Sequence, residues 1–161
     1  MSHTTPAAAA PPVESLAGPA LAEAVAVALG WRWFLWPQRK AIALHHPDPS
    51  KREMWAPHFI DVTDTQQEYE RFCDWDRYVP DYPNDIAAAW QVVDYMLPLC
   101  CNDFDLSTDS ALSGDRQYTA EFGYAYTNKR PLTYGVAEGP TAPIAICRAA
   151  LLALRAGKEV R

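Results

Sequence analysis

Three imidazoles and a carboxylate fall close together in this chain: His45 and His46 open the run "HHPDP", Asp48 follows, and His58 lies further on. Such groups suit metal ligation or general acid–base hydrolysis. Their spacing matches no established metal template, and Cys73, Cys100, Cys101 and Cys147 include no C-x-x-C pair. Loop histidines are the plainer reading, so no metal and no cofactor are expected. "DFDLSTD" at 103–109 sets Asp103, Asp105, Ser107 and Asp109 at alternate positions, in the manner of a calcium loop. Thr108 stands where such a loop needs glycine and Gly114 where it needs glutamate, so that chemistry fails, and 100–115 reads as a loop. Cys147 sits two turns inside a helix, too deep for the N-terminal dipole, and no histidine follows residue 58. It reads as a packed thiol. Phosphate-binding and nucleophile-elbow motifs are absent, which leaves a hydrolase built on His45, His46 and His58 as the one enzymatic alternative.

Recognition chemistry is better represented. Arg148 lies within "TAPIAICRAALLALR" at 141–155. With Ile144 placed at 0° on a wheel of about 100° per residue, Arg148 falls at about +40°, inside the apolar arc. Ala145, Ala149 and Ala153 take the opposite side. A guanidinium so placed needs a carboxylate, carbonyl or anion. A strut to Glu121 or Asp94 is the expectation, and a phosphate site the alternative. The chain also carries more Trp and Tyr than a small core needs. Trp90 and Phe122 are assigned to the core, while Trp31, Trp33 and Tyr82 compete for what space is left. Trp33, Trp55, Trp75, Tyr78, Tyr124 and Tyr126 join Arg148 as candidate binding residues.

The elements that must position these groups follow from periodicity and punctuation. Residues 1–15 form an Ala/Pro-rich tail, expected to be disordered, with no basic leader. "LAGPALAEAVAVALG" predicts a helix with Pro19 in its first turn and Gly30 at its C-terminal cap. "WRWFLW" (31–36) and "AIALHH" (41–46) predict a hairpin. An irregular insert spans about 47–83, and its "TQQEYERFCDWDRY" holds a short helix. "NDIAAAWQVVDYML" predicts a helix capped by Asn84 or Asp85, with Ile86, Trp90, Val93 and Leu97 as its buried stripe. "RQYTAEFGYAY" alternates, with Tyr118, Ala120, Phe122, Tyr124 and Tyr126 on one face, and "LTYGVAEG" pairs back onto it. A last helix starts near Thr141 with Pro143 in its first turn. The fold class expected is α+β: one domain over 16–161, a small antiparallel sheet of about four strands covered by about three helices.

The motifs "LAEAVAVALGWRW" (21–33), "PNDIAAAWQVVDYM" (83–96) and "TAPIAICRAALLAL" (141–154), in that order, resemble the phage ABA sandwich domain family. The resemblance covers roughly 95 residues, leaving out the tail and most of 37–80. It implies helices packed on a sheet and a phage or prophage origin, with expression in a bacterial host. It implies no activity.

A net charge of −6 gives no general attraction for a polyanion, which argues against a nucleic-acid partner. No apolar run reaches the ~18 residues that span a bilayer. The expected protein is therefore a cytoplasmic phage accessory protein that binds and performs no chemistry. It would capture a host bacterial protein, such as a defence component, through the insert. The alternative partner is a nucleotide-like small molecule held by aromatics and Arg148, and association with a second copy stays open.

Overall fold

Glycine and alanine set the closest packing in this molecule. The last helix carries Ala145, Ala149 and Ala153 at every fourth residue, and the strand before it carries Gly135, Ala137 and Gly139 at every second. Both spacings bring small residues to one line, so helix and strand approach at backbone distance. A Cβ built on Gly139 would lie 2.8 Å from the Ala145 nitrogen, and one built on Gly135 would lie 2.5 Å from the Ala153 nitrogen.

A computed structural model of the chain describes residues 11–36, 41–48, 50, 58–59, 75–98, 103–110, 116–123 and 133–159. Its elements are α1 (Gly18–Leu29), β1 (Arg32–Trp36), β2 (Ala41–His45), β3 (His58–Phe59), α2 (Trp75–Tyr78) and α3 (Ile86–Met96). They continue with β4 (Asp103–Ser110), β5 (Arg116–Gly123), β6 (Thr133–Gly139) and α4 (Ala142–Glu159). Helix α4 packs chiefly on β6 and also meets β5, α3, α1 and a 3₁₀ turn at Val13–Ser15. It is buried almost all round, Ala145, Ala149 and Ala153 included, so these alanines are the sheet contact and not a solvent face.

The α+β class stands, but the single four-stranded sheet is replaced by two antiparallel sheets, ordered β1-β2-β3 and β4-β5-β6. Each predicted hairpin keeps its pairing, Arg32 opposite His45 in one and Glu121 opposite Val136 in the other. Each also gains a strand from sequence read as irregular: β3 from the insert, β4 from the presumed loop. β4 is an edge strand whose Asp103, Asp105 and Asp109 are exposed while Phe104 and Leu106 turn inward. The alternation that imitates a calcium loop is the two-residue period of a half-buried strand. Charges on an edge also discourage pairing with foreign strands.

Helix ends follow sequence closely. Gly30, at φ 104°, closes α1: its amide donates to the Val27 carbonyl and the Trp31 amide to that of Ala26. That is the paired bonding of a left-handed helix stop. Arg32 adds a guanidinium there, donating to the Val27 carbonyl at 2.6 Å. The Asp85 carboxylate caps α3 by accepting from the Ala87 amide at 2.8 Å. Asp85→Ala is expected to cost about 1 kcal/mol, read from urea unfolding. The Thr141 carbonyl and hydroxyl take the first free amides of α4.

Two core assignments change. Helix α3 buries Ala88, Ala89, Val92, Val93 and Met96, whereas Trp90 is 44% exposed and Ile86 45%. The alanine edge lets α3 approach α4 more closely than an indole would allow, and Trp90 instead lies edge-on to Phe104 with centroids 5.5 Å apart. Trp31 and Tyr82 both find core positions, and Phe122 is fully buried. The N-terminal tail is shorter than expected, because Val13 is buried in the 3₁₀ turn; residues 1–10 lie outside those described.

Candidate functional site

The β1–β2 hairpin brings aromatic side chains to both of its faces. Trp31 and Trp33 are two residues apart and share a face, which β-strand alternation requires. The Trp31 indole Nε1 donates to the Tyr82 hydroxyl at 3.2 Å inside the core. Burial pushes the Tyr82 phenol from 10.0 up to about 12, partly offset by that indole bond. Trp33 is half-buried, with Trp75 edge-on at 5.9 Å and Tyr78 edge-on at 5.8 Å. Three of the sequence candidates, one from β1 and two from α2 within the insert, therefore meet in one cluster. The Trp33 Nε1 is buried there without a hydrogen-bond partner among the described residues. Such an orphaned donor costs about 1–3 kcal/mol. On the opposite face Phe34, 43% exposed, stacks on His45 at 4.0 Å.

A cleft opens where this hairpin meets α3. Its volume is about 390 Å³, and its walls include Trp31, His46, Asp48, Tyr82, Asp94 and Tyr95. His46 lies over Trp31 with centroids 4.6 Å apart, and its Nδ1 accepts from the Asp48 amide at 2.9 Å. Asp48 in turn accepts from the Ser50 amide and hydroxyl, which orients its carboxylate. Sequence reasoning did not assemble this cleft. Gln91, Asp94 and Tyr95, spaced i, i+3 and i+4 on α3, were the available signal for a polar, aromatic helix face.

Arg148 does not belong to either feature. Its guanidinium donates to the Leu16 carbonyl from Nη2 at 3.0 Å and from Nε at 3.4 Å, and to the Glu138 carbonyl from Nη1 at 3.1 Å. The strut is real but its expected anchors, Glu121 and Asp94, are replaced by backbone. One side chain thus ties the segment before α1 to the end of β6. Cys147 is a fully buried free thiol, pushed from 9.0 up to about 12 by burial and by the Asp81 carboxylate. At neutral pH it stays protonated and is a poor nucleophile. His45 and His46 turn apart, one onto Phe34 and the other onto Trp31. Trp55, Tyr124 and Tyr126 lie outside the described residues, as does the side chain of His58. No group of three metal-ligating side chains occurs among the described residues.

Helices packed against antiparallel sheets define an α+β sandwich. The model of one family, described as the phage ABA sandwich domain, matches residues 54–151, and the chain belongs to that family. The match begins inside the insert and runs into α4, so α1 and the β1–β2 hairpin lie before it. No curated protein and no solved structure matches the chain. None of the described helices is long and apolar enough to cross a membrane.

Proposed function

We propose that this is a phage accessory protein that acts by binding, capturing a host bacterial protein, such as a component of a defence system, in the cytoplasm. The docking surface is the β1–β2 hairpin with α2. The observation that carries this reading is the meeting of Trp33, Trp75 and Tyr78 on one face of the hairpin, with Phe34 exposed on the other. Half-buried Trp and Tyr side chains supply large contact areas at little entropic cost and dominate protein interfaces. The phage family supplies the setting. A nucleotide-like ligand has less support, because Arg148 is turned to two carbonyls. A hydrolase has less support still, since His45 and His46 face apart.

Affinity capture from host lysate, followed by quantitative binding to the recovered protein, tests the proposal. Phe34→Ala and Trp75→Ala are each expected to weaken binding by at least about tenfold, the scale of an interface hot spot. Ile86→Ser, on the exposed side of α3, is the matched control. Binding that ignores both hairpin-side variants, or falls equally with the control, sinks the docking surface.

A further inference from the structure

The cleft between the hairpin and α3 has a lining chemistry that the protein-capture reading does not use. Its two carboxylates, Asp48 and Asp94, stand beside three aromatic side chains, Trp31, Tyr82 and Tyr95. Neither Lys nor Arg appears among the described residues that line it. Its volume of about 390 Å³ lies at the small end of ligand sites, which span roughly 300–1,000 Å³.

We propose that this cleft binds an organic cation: an ammonium or guanidinium group carried on a short aliphatic stem. Three classes of occupant are separated by the walls themselves. An anion would be repelled by the Asp94 carboxylate on the rim, which no Lys or Arg among the described lining residues offsets. A wholly apolar ligand would strip water from both carboxylates and from Gln91 without replacing their hydrogen bonds. A cation gains from each wall. Its charge sits against Asp94, an exposed rim residue that makes no hydrogen bond or ion pair among the described residues. Its stem lies along Leu29 and Pro47, and the face of Tyr95 offers the ring quadrupole that attracts cations. The Trp31 indole N–H is engaged by the Tyr82 oxygen, so the ligand meets the ring surface of Trp31. The Asp48 carboxylate is held in place by Ser50 and needs no rearrangement to contribute its field.

The same cationic group occurs on a free alkylamine and on a lysine side chain of a polypeptide. Titration of the full chain with n-butylammonium and with Nα-acetyl-lysine methylamide separates the two sources. Butyrate and inorganic phosphate are the anionic arms. The indole Nε1–H resonance of Trp31, whose partner is Tyr82, reports occupancy by NMR. Both ammonium probes are expected to shift it saturably, and the two anions to leave it in place. The more tightly bound of the two ammonium probes identifies the source. Asp94→Asn should weaken ammonium binding about tenfold and Tyr95→Leu several-fold, while Asp109→Asn on β4 and Trp75→Ala leave it unchanged. The Trp75→Ala arm keeps this result independent of the docking surface above. The proposal is overturned if neither ammonium shifts the Trp31 resonance, if phosphate or butyrate binds as tightly, or if Asp94→Asn leaves binding intact.

Discussion

Gly135→Ala is expected to lower the melting temperature by about 10 °C, the largest effect of any single methyl group in this protein. The added Cβ would collide with the Ala149 carbonyl oxygen, lie 2.5 Å from the Ala153 nitrogen and 3.1 Å from the Ala153 Cα. These are backbone atoms of α4, held by the helix's own hydrogen bonds, so no rotamer change relieves the overlap. The helix must retreat from β6, and the whole Ala145–Ala149–Ala153 line loses its contact with the sheet. Overpacking a core costs about 1–3 kcal/mol, and a clash with rigid backbone belongs at the upper end. For a domain of this size, roughly 3 kcal/mol corresponds to a fall of about 6–12 °C. Gly139→Ala meets the Ala145 nitrogen at 2.8 Å, but beside the first turn of α4 and partly against the movable Ile144 side chain. Its loss should be smaller. Gly123→Ala is the control, with nothing among the described residues nearer than the Glu121 Oε1 at 3.9 Å. Calorimetry of the three variants gives the ranking. A Gly135→Ala protein that melts with the wild type would show that α4 does not depend on its close approach to β6.

That close approach also marks where sequence reading succeeds and where it stops. Local punctuation was legible: the Gly30 stop of α1, the Asp85 cap of α3, the Thr141 and Pro143 start of α4, and the antiparallel pairing of both hairpins all follow from residue type and spacing. Each is decided within a few residues of chain. What was lost is decided by neighbours far away in sequence. Trp90 ranks as core on size, yet α3 turns Ala88, Ala89, Val92, Val93 and Met96 inward and leaves the indole at the surface. β4 reads as a loop in sequence because aspartate and serine disfavour strands, although Phe104 and Leu106 carry the alternation. The candidate aromatics were named singly. That Trp33 meets Trp75 and Tyr78 across the insert is a tertiary fact with no local trace. The cleft is harder still, since Asp94 and Tyr95 look like any solvated helix face until the hairpin is placed opposite them.

Arg148→Met is expected to cost roughly 2 kcal/mol, lowering the melting temperature by about 4–8 °C without weakening capture of a partner below the transition. The guanidinium is half-buried and bridges two carbonyls, those of Leu16 and Glu138, that no other described side chain reaches. Methionine keeps the apolar stem and removes only the donors, so the loss reads the hydrogen bonds and not the packing. Lysine should restore less than half, because a single ammonium cannot place a planar fork on two acceptors at once. The loss should also be local before it is global. Leu16 follows the 3₁₀ turn that buries Val13, and the Leu16 amide itself donates to the Val13 carbonyl. Cutting the bridge should therefore speed amide exchange at Ser15 and Leu16 well before α4 loosens. A binding-site arginine predicts the reverse pattern, with unchanged melting, unchanged exchange at the N-terminal turn and lost affinity. An arginine on an otherwise apolar helix invites the assumption of a ligand, but the side chain can equally serve the chain's own backbone. Here both carbonyls lie on segments that must be fastened for α1 and β6 to flank α4, which makes the anchor sufficient reason for the charge.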